Sequence, residues 1–122
     1  MIVGIGVDIV DLARFERAVA RTPKLLDRLF AESEQRHDAR HLTTHSLAAR
    51  FAAKEALIKA LGTSEGVRWH DMPIVSDGER NPAFALTGGI RAVAAAKGIT
   101  HIHLSMSHDA GVAIAYVIAE AA

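Results

Sequence analysis

Two acidic side chains that are far apart in the chain, Asp8 and Glu55, are the first candidates for chemistry. Asp8 interrupts an apolar run, and Glu55 lies at the edge of the apolar stripe of an alanine-rich segment. A half-buried carboxylate beside a second one suggests a divalent cation, and Mg²⁺ prefers one or two carboxylates, several waters and substrate phosphates. Lys59, one helical turn after Glu55, would then place a positive charge near a phosphate. The alternative is an ordinary surface ion pair between Glu55 and Lys59.

The elements that must position these residues can be predicted from the apolar pattern. Residues 2–10, IVGIGVDIV, indicate a largely buried strand whose glycines allow a close approach of other backbone. Asp11 is a suitable N-cap for a helix that runs to about Ala20, and a second short helix is predicted over residues 24–30. Residues 32–40 predict a solvated helix followed by a mobile loop.

The clearest helix is predicted from Ser46 to Gly62, because its alanines and leucines favour helix and glycine commonly ends one. Turn residues between segments 72–76 and 83–86 indicate a hairpin. A further helix is predicted over 89–97. Two strands are expected last, over residues 101–107 and 112–118. We therefore expect one α+β domain over residues 1–122, with a mostly antiparallel sheet packed against a long central helix.

Composition excludes several classes of protein. The chain has 122 residues, a formal net charge of +0 and no cysteine. A globally basic nucleic-acid-binding protein, a disulfide scaffold and a cysteine-based metal site are therefore not expected. No apolar run approaches the length of a membrane span, and charges occur early in residues 1–20. We expect a soluble, cytoplasmic protein with no nucleic-acid or membrane partner.

Three segments resemble the holo-[acyl-carrier-protein] synthases, the short members of the 4′-phosphopantetheinyl transferase superfamily. They are GIGVDIV at the N-terminus, RFAAKEALIKALG at residues 50–62 and HLSMSHDAGVAIAYVIAE near the C-terminus. The resemblance implies a 4′-phosphopantetheinyl transferase-like fold. It also implies an Mg²⁺-dependent transfer of the 4′-phosphopantetheine arm of coenzyme A to a serine of apo acyl carrier protein. Adenosine 3′,5′-bisphosphate is the other product, and the reaction serves fatty acid biosynthesis.

The same resemblance assigns expected roles to individual residues. Asp8 and Glu55 correspond to the metal ligands, and Lys59 corresponds to the lysine that contacts the phosphates. The expected catalytic residues are Glu55, Lys59 and His108. The positions matched to coenzyme A contacts are Arg50, Lys54, Lys59 and His108. The sequence does not identify the group that accepts the serine proton, since Glu55, a metal-bound water or His108 could each accept it.

A cationic ridge on the first predicted helix suggests how an acidic partner would bind. Arg14, Arg17 and Arg21 are three and four residues apart, so they lie along one side of that helix. An ordinary solvated face is the alternative. The resemblance matches Arg14 and Arg21 to positions used for docking of the acidic acyl carrier protein. It further implies a homotrimer that binds coenzyme A between protomers.

Two other functions compete with this interpretation. The chain could form a non-catalytic trimeric module that binds coenzyme A or a carrier protein. It could also be a metal-dependent phosphohydrolase that releases phosphopantetheine to water. The combination of Asp8, Glu55 and Lys59 favours the transferase, because binding alone does not require two carboxylates and a lysine at one place.

Overall fold

The main sheet of the protein has three antiparallel strands. The computed structural model describes residues 1–37 and 40–122 of the chain. The strands are β1 (Ile2–Asp11), β6 (Ile99–Asp109) and β7 (Val112–Ala121), and they lie in the order β1-β7-β6. Ala110 and Gly111, with φ of 50° and 80°, form the turn between β6 and β7. Such left-handed pairs suit the twist of a two-residue hairpin.

Helix α3 (Thr44–Leu61) packs against one face of this sheet. The Thr43 hydroxyl accepts a hydrogen bond from the Ser46 N–H at 3.1 Å, so the helix begins two residues before the predicted start. Gly62 ends it with a φ of 75°, as the sequence predicted. The alanines of α3 make the close contact possible, and four of them are fully buried: Ala48, Ala52, Ala53 and Ala56.

The glycines of β1 lie directly on α3. A Cβ atom added at Gly4 would overlap the Ala60 carbonyl, and one added at Gly6 would overlap the Ala56 carbonyl. The predicted close approach is confirmed. The expectation of a largely buried strand is wrong for the other face of β1, where Ile5, Val7 and Ile9 are 56%, 41% and 62% exposed in the single chain.

Helices α1 (Leu12–Arg21) and α2 (Leu25–Leu29) follow β1. Asp11 caps α1, because its Oδ1 accepts a hydrogen bond from the Arg14 N–H at 2.8 Å. Their apolar side chains form a second core region with the start of α3. Its buried members larger than alanine are Leu12, Phe15, Leu29, Phe30 and Leu47.

The segment after α2 differs from its prediction. It contains a 3₁₀ turn (Glu32–Gln35) and the short strands β2 (Arg36–His37) and β3 (Arg40–His41) in place of a solvated helix. Residues 38 and 39 of this segment lie outside the described residues. The Glu34 side chain is buried with an ion-pair partner, so the polar pattern did not indicate a solvated face there.

The predicted hairpin and the last helix are confirmed. A 3₁₀ turn (Trp69–Asp71) precedes strands β4 (Ile74–Ser76) and β5 (Pro82–Phe84), which pair antiparallel. Helix α4 (Gly88–Ala96) begins one residue earlier than predicted. The whole arrangement confirms the α+β class. In the part of the chain that the structure describes, no helix is long and apolar enough to cross a bilayer. The cytoplasmic location stays a prediction.

Candidate active site

Asp8 and Glu55 line the same cavity, which has a volume of about 750 Å³. Asp8 lies on the face of β1 that packs on α3, because side chains alternate along a strand and Gly4 and Gly6 share that face. Burial raises the pKa of Glu55, the negative charge of Asp8 raises it further, and Lys59 opposes both effects. The structure therefore brings together two carboxylates that the sequence separates widely.

Lys59 contributes the positive charge at this site. Its Nζ lies 3.0 Å from Asp8 Oδ1 and donates a second hydrogen bond to the Val7 carbonyl at 3.0 Å. The Lys59 side chain is 53% exposed, whereas that of Asp8 is 18% exposed. Lys59 thus pairs with Asp8 on the neighbouring strand β1. The sequence had suggested a surface ion pair between Lys59 and Glu55 as the alternative, and the structure has the pair with Asp8 instead.

The donor set of this cavity fits a hard divalent cation. The described residues contain no group of three or more His, Cys, Asp or Glu side chains that could hold a metal ion. Two carboxylates alone would leave most coordination positions to water and to phosphate oxygens. Mg²⁺ is typically bound in that way, because it keeps several waters and takes few protein ligands.

Arg50 and His108 line a different cavity, with a volume of about 400 Å³. The Arg50 Nη1 donates to Ser46 Oγ at 2.6 Å, and His45 also lines this cavity. Burial lowers the pKa of Arg50, and the charge of Glu34 opposes that effect. A guanidinium still carries its charge at neutral pH, so this cavity has the character of an anion site. The structure therefore places His108 and Arg50 together, but in another cavity than Asp8 and Glu55.

The placement of Lys54 corrects its expected role. The side chain is 0% exposed and lies within the core. Its Nζ donates to the Leu29 carbonyl, the Trp69 carbonyl and Glu34 at 2.8, 2.9 and 3.0 Å. An ammonium has three donors, so none is left for a phosphate. The structure does not bring Lys54 to either cavity, contrary to its matched role as a coenzyme A contact.

The cavity of Asp8 and Glu55 also contains two arginines and an apolar floor. Arg14 and Arg28 line it, together with a run of aromatic rings. The ring centroids of Phe15 and Phe51 are 5.6 Å apart, and those of Phe51 and Trp69 are 5.7 Å apart. Arg21 lies in the last turn of α1 and is exposed. The sequence gives no local sign that Trp69 lines a cavity, because an isolated aromatic residue is equally suited to packing in the core.

The geometry can now be compared with known proteins. A model of the 4′-phosphopantetheinyl transferase superfamily matches residues 4–117, which include both carboxylates and Lys59. The chain belongs to this superfamily. The resemblance noted from the sequence is therefore confirmed over nearly the whole chain.

Individual members of the superfamily are close in sequence and in fold. The holo-[acyl-carrier-protein] synthase of Leifsonia xyli subsp. xyli is 68% identical over 120 residues, which are 98% of each chain. The crystal structure of holo-[acyl-carrier-protein] synthase from Neisseria meningitidis matches with a TM-score of 0.86 at 33% identity, covering 98% of this chain and 99% of that one. The Helicobacter pylori enzyme in complex with coenzyme A matches with a TM-score of 0.80 at 34% identity, covering 95% and 99%. These matches confirm the 4′-phosphopantetheinyl transferase-like fold.

Proposed function

We propose that this chain transfers the 4′-phosphopantetheine arm of coenzyme A to a serine of apo acyl carrier protein, as a holo-[acyl-carrier-protein] synthase of fatty acid biosynthesis. The observation that carries the proposal is the meeting of Asp8 and Glu55 at one cavity, with Lys59 paired to Asp8 at 3.0 Å. The superfamily match and the 68% identical synthase support it independently.

The reaction is a displacement at one phosphorus atom of the coenzyme A diphosphate. A bond forms between the serine oxygen and the phosphorus atom, and the bond to the departing adenosine 3′,5′-bisphosphate breaks. Lys59 holds positive charge at the cavity edge, where it can stabilise charge on phosphate oxygens. Such transfers depend mostly on alignment and charge neutralisation.

Glu55 is the residue that we assign as acceptor of the serine proton, directly or through a water that it orients. Glu55 lines the cavity beside Asp8, so its carboxylate lies where the serine proton would have to be accepted. Asp8 and Glu55 would also hold the Mg²⁺. When bound, that ion would supply Lewis acidity and charge neutralisation at the diphosphate.

Two observations support a homotrimer that binds coenzyme A between protomers. The Asp8 cavity and the Arg50 cavity are separate in one chain. In addition, the open face of the sheet exposes a contiguous apolar patch, with Val7 directly opposite Tyr116, which is 47% exposed. Exposed patches of this kind mark interaction sites. Sedimentation analysis should give a trimer, and Tyr116→Asp should give smaller species.

The carrier protein is assigned to the cavity of Asp8. Arg14 and Arg28, which line this cavity, would attract an acidic protein, and Arg21 extends the positive charge along α1. The aromatic floor would accept apolar side chains of the partner. In this arrangement the target serine would arrive next to Glu55.

A transfer assay tests the proposal directly. The assay mixes this protein with apo acyl carrier protein, coenzyme A and Mg²⁺. Mass spectrometry then measures the mass of the carrier protein. The expected result is a mass gain of one phosphopantetheine group, which a chelator prevents. Retained binding of coenzyme A without any mass gain would support the non-catalytic module instead. Release of phosphopantetheine without a carrier protein would support the phosphohydrolase.

A further inference from the structure

The ammonium group of Lys54 forms a set of contacts that the proposed mechanism does not use. It donates to the carbonyls of Leu29 and Trp69 and to Glu34, at distances between 2.8 and 3.0 Å. Lys54 is 0% exposed and Glu34 is 5% exposed. A buried ion pair is retained in a fold when its hydrogen bonds are complete, and here the ammonium has no free donor.

The acceptors come from two regions of the chain that are remote from each other in the sequence. Leu29 ends α2, Glu34 lies in the 3₁₀ turn that follows, and Trp69 begins the 3₁₀ turn after α3. Glu34 extends the set, because its carboxylate accepts the backbone N–H groups of Ala31 and Ile74 at 3.1 and 3.4 Å. One buried ion pair therefore fixes several loops against the central helix.

Two of these acceptor residues also form the walls of the candidate site. Leu29 and Trp69 line the cavity that contains Asp8 and Glu55. Glu55 is the next residue after Lys54, and successive helical side chains point about 100° apart. Glu55 thus faces the cavity, while Lys54 holds the backbone of two cavity walls from behind.

We propose that Lys54, paired with Glu34, is a positioning residue that shapes the carrier-binding cavity and makes no contact with coenzyme A. The inference rests on the proposed function, since it takes this cavity as the carrier site. Loss of the pair would release the carbonyls of Leu29 and Trp69. The apolar floor would then loosen, and binding of the carrier protein would weaken more than binding of coenzyme A.

Steady-state kinetics separates this role from phosphate binding. The double variant Lys54→Met with Glu34→Gln removes both charges, so no buried charge remains without a partner. We expect its KM for apo carrier protein to rise about tenfold and its KM for coenzyme A to change less than about twofold. Lys97→Met, at an exposed lysine that follows α4, is the matched control and should change neither constant. A raised KM for coenzyme A with an unchanged KM for the carrier would overturn the proposal.

Trp69 offers a second measurement that does not require activity. It is the single tryptophan of the chain, so intrinsic fluorescence reports on the cavity wall that Lys54 holds. Acrylamide should quench Trp69 more strongly in the double variant than in the wild type. Equal quenching of the two proteins would contradict the positioning role.

The wild-type protein can also be tested, which keeps the proposal falsifiable if the variant does not fold. Lysine acetylation by an amine-reactive ester is mapped by mass spectrometry with and without coenzyme A. Lys54 should resist acetylation in both conditions, whereas Lys59, which is 53% exposed, should react in the free protein. Acetylation of Lys54 that coenzyme A suppresses would overturn the inference. An inactive wild type in the transfer assay would refute the proposed function alone, since labelling and quenching would still report the Lys54 contacts.

Discussion

The protonation of Glu55 links the electrostatics of the site to its chemistry. Its carboxylate is partly buried, it feels the negative charge of Asp8, and Lys59 relieves only part of that repulsion. Lys59 itself is held at Asp8 by a 3.0 Å ion pair. A cation between the two carboxylates would remove the repulsion that raises the pKa of Glu55. The raised pKa therefore belongs to the site without a cation, and a bound cation would favour the ionised form of Glu55.

Replacement of Glu55 by glutamine should abolish transfer without loss of the fold. The side chains are nearly equal in size, and we expect the rate to fall about 10²- to 10⁴-fold, as is usual for the loss of a general base. The carrier mass-gain assay measures the rate, and circular dichroism checks the fold. Normal turnover by this variant would contradict the assignment of Glu55.

The pKa shift of Glu55 also predicts a pH-dependent effect on stability. Folding raises the pKa of this carboxylate, so its ionised form is less stable in the folded protein than in the unfolded chain. Ionised Glu55 therefore lowers the free energy of unfolding, and this loss develops as the pH rises above the ordinary pKa of a glutamate. In a chelator-containing buffer, Glu55→Gln should therefore raise the melting temperature at pH 7. The gain should disappear near pH 4. A gain of equal size at both pH values would refute this explanation.

At the scale of elements, the contact between β1 and α3 decides where the carboxylates lie. The glycines of β1 bring its backbone onto the alanine surface of α3, and that close packing sets the distance between Asp8 and Glu55. A larger residue on this face would push the strand and the helix apart. The stability of the fold and the geometry of the site therefore depend on the same contact.

Gly6→Ala should reduce both stability and activity. The added methyl group would overlap the Ala56 carbonyl, and overpacking of this kind costs about 1–3 kcal/mol. Gly78→Ala is the control, because a Cβ at that position meets nothing within 4 Å. Urea unfolding of both variants measures the free energy of unfolding. Equal stability of the two variants would contradict the close packing of β1 on α3.

Helix α1 should control the recognition of the acidic carrier. The double charge reversal Arg14→Glu with Arg21→Glu should raise the KM for the carrier about tenfold at low salt, and less at high salt, because ions screen exposed charges. The control is the double variant Arg91→Glu with Lys97→Glu, which changes the net charge by the same amount. Both residues are exposed, on α4 and directly after it, and neither lines the cavity. Kinetics at two salt concentrations compare the two proteins, and an equal effect of both would refute specific docking on α1.

At the scale of the whole molecule, one chain holds the predicted site residues in two separate groups. Asp8 and Glu55 line one cavity, and Arg50 and His108 line another. The apolar open face of the sheet gives a reason for chains to associate. Association would allow the acidic cavity of one protomer to adjoin the cationic cavity of its neighbour.

Mixing two inactive variants tests this division of the site. The Glu55→Gln and His108→Ala variants, unfolded and refolded together, should recover activity in the proposed homotrimer. If each site takes Glu55 from one protomer and His108 from the next, about a quarter of the sites are intact after random mixing of equal amounts. Each variant refolded alone is the control. No recovery in mixed trimers would place Glu55 and His108 of the same chain in one site.

The local sequence was sufficient to predict most of the elements and to identify two carboxylates that the structure places at one cavity. Asp11 and Gly62 marked the ends of their helices, because capping depends on neighbouring backbone groups. The motifs around Asp8 and Glu55 indicated the superfamily. The main error was the solvated helix predicted over residues 32–40. Glu34 in this segment is buried because it pairs with Lys54, twenty residues later, and no local pattern reveals such a pair.

The sequence by itself thus determined the fold class, the family and the pair of carboxylates, all of which depend on residue types and short spacings. Only the tertiary structure decided that Lys54 is in the core, that Lys59 pairs with Asp8, and that Arg50 and His108 lie in a second cavity. The physical reason is that burial and pairing arise from contacts between segments remote in the chain. Periodicity along one segment carries no information about which other segment will cover it.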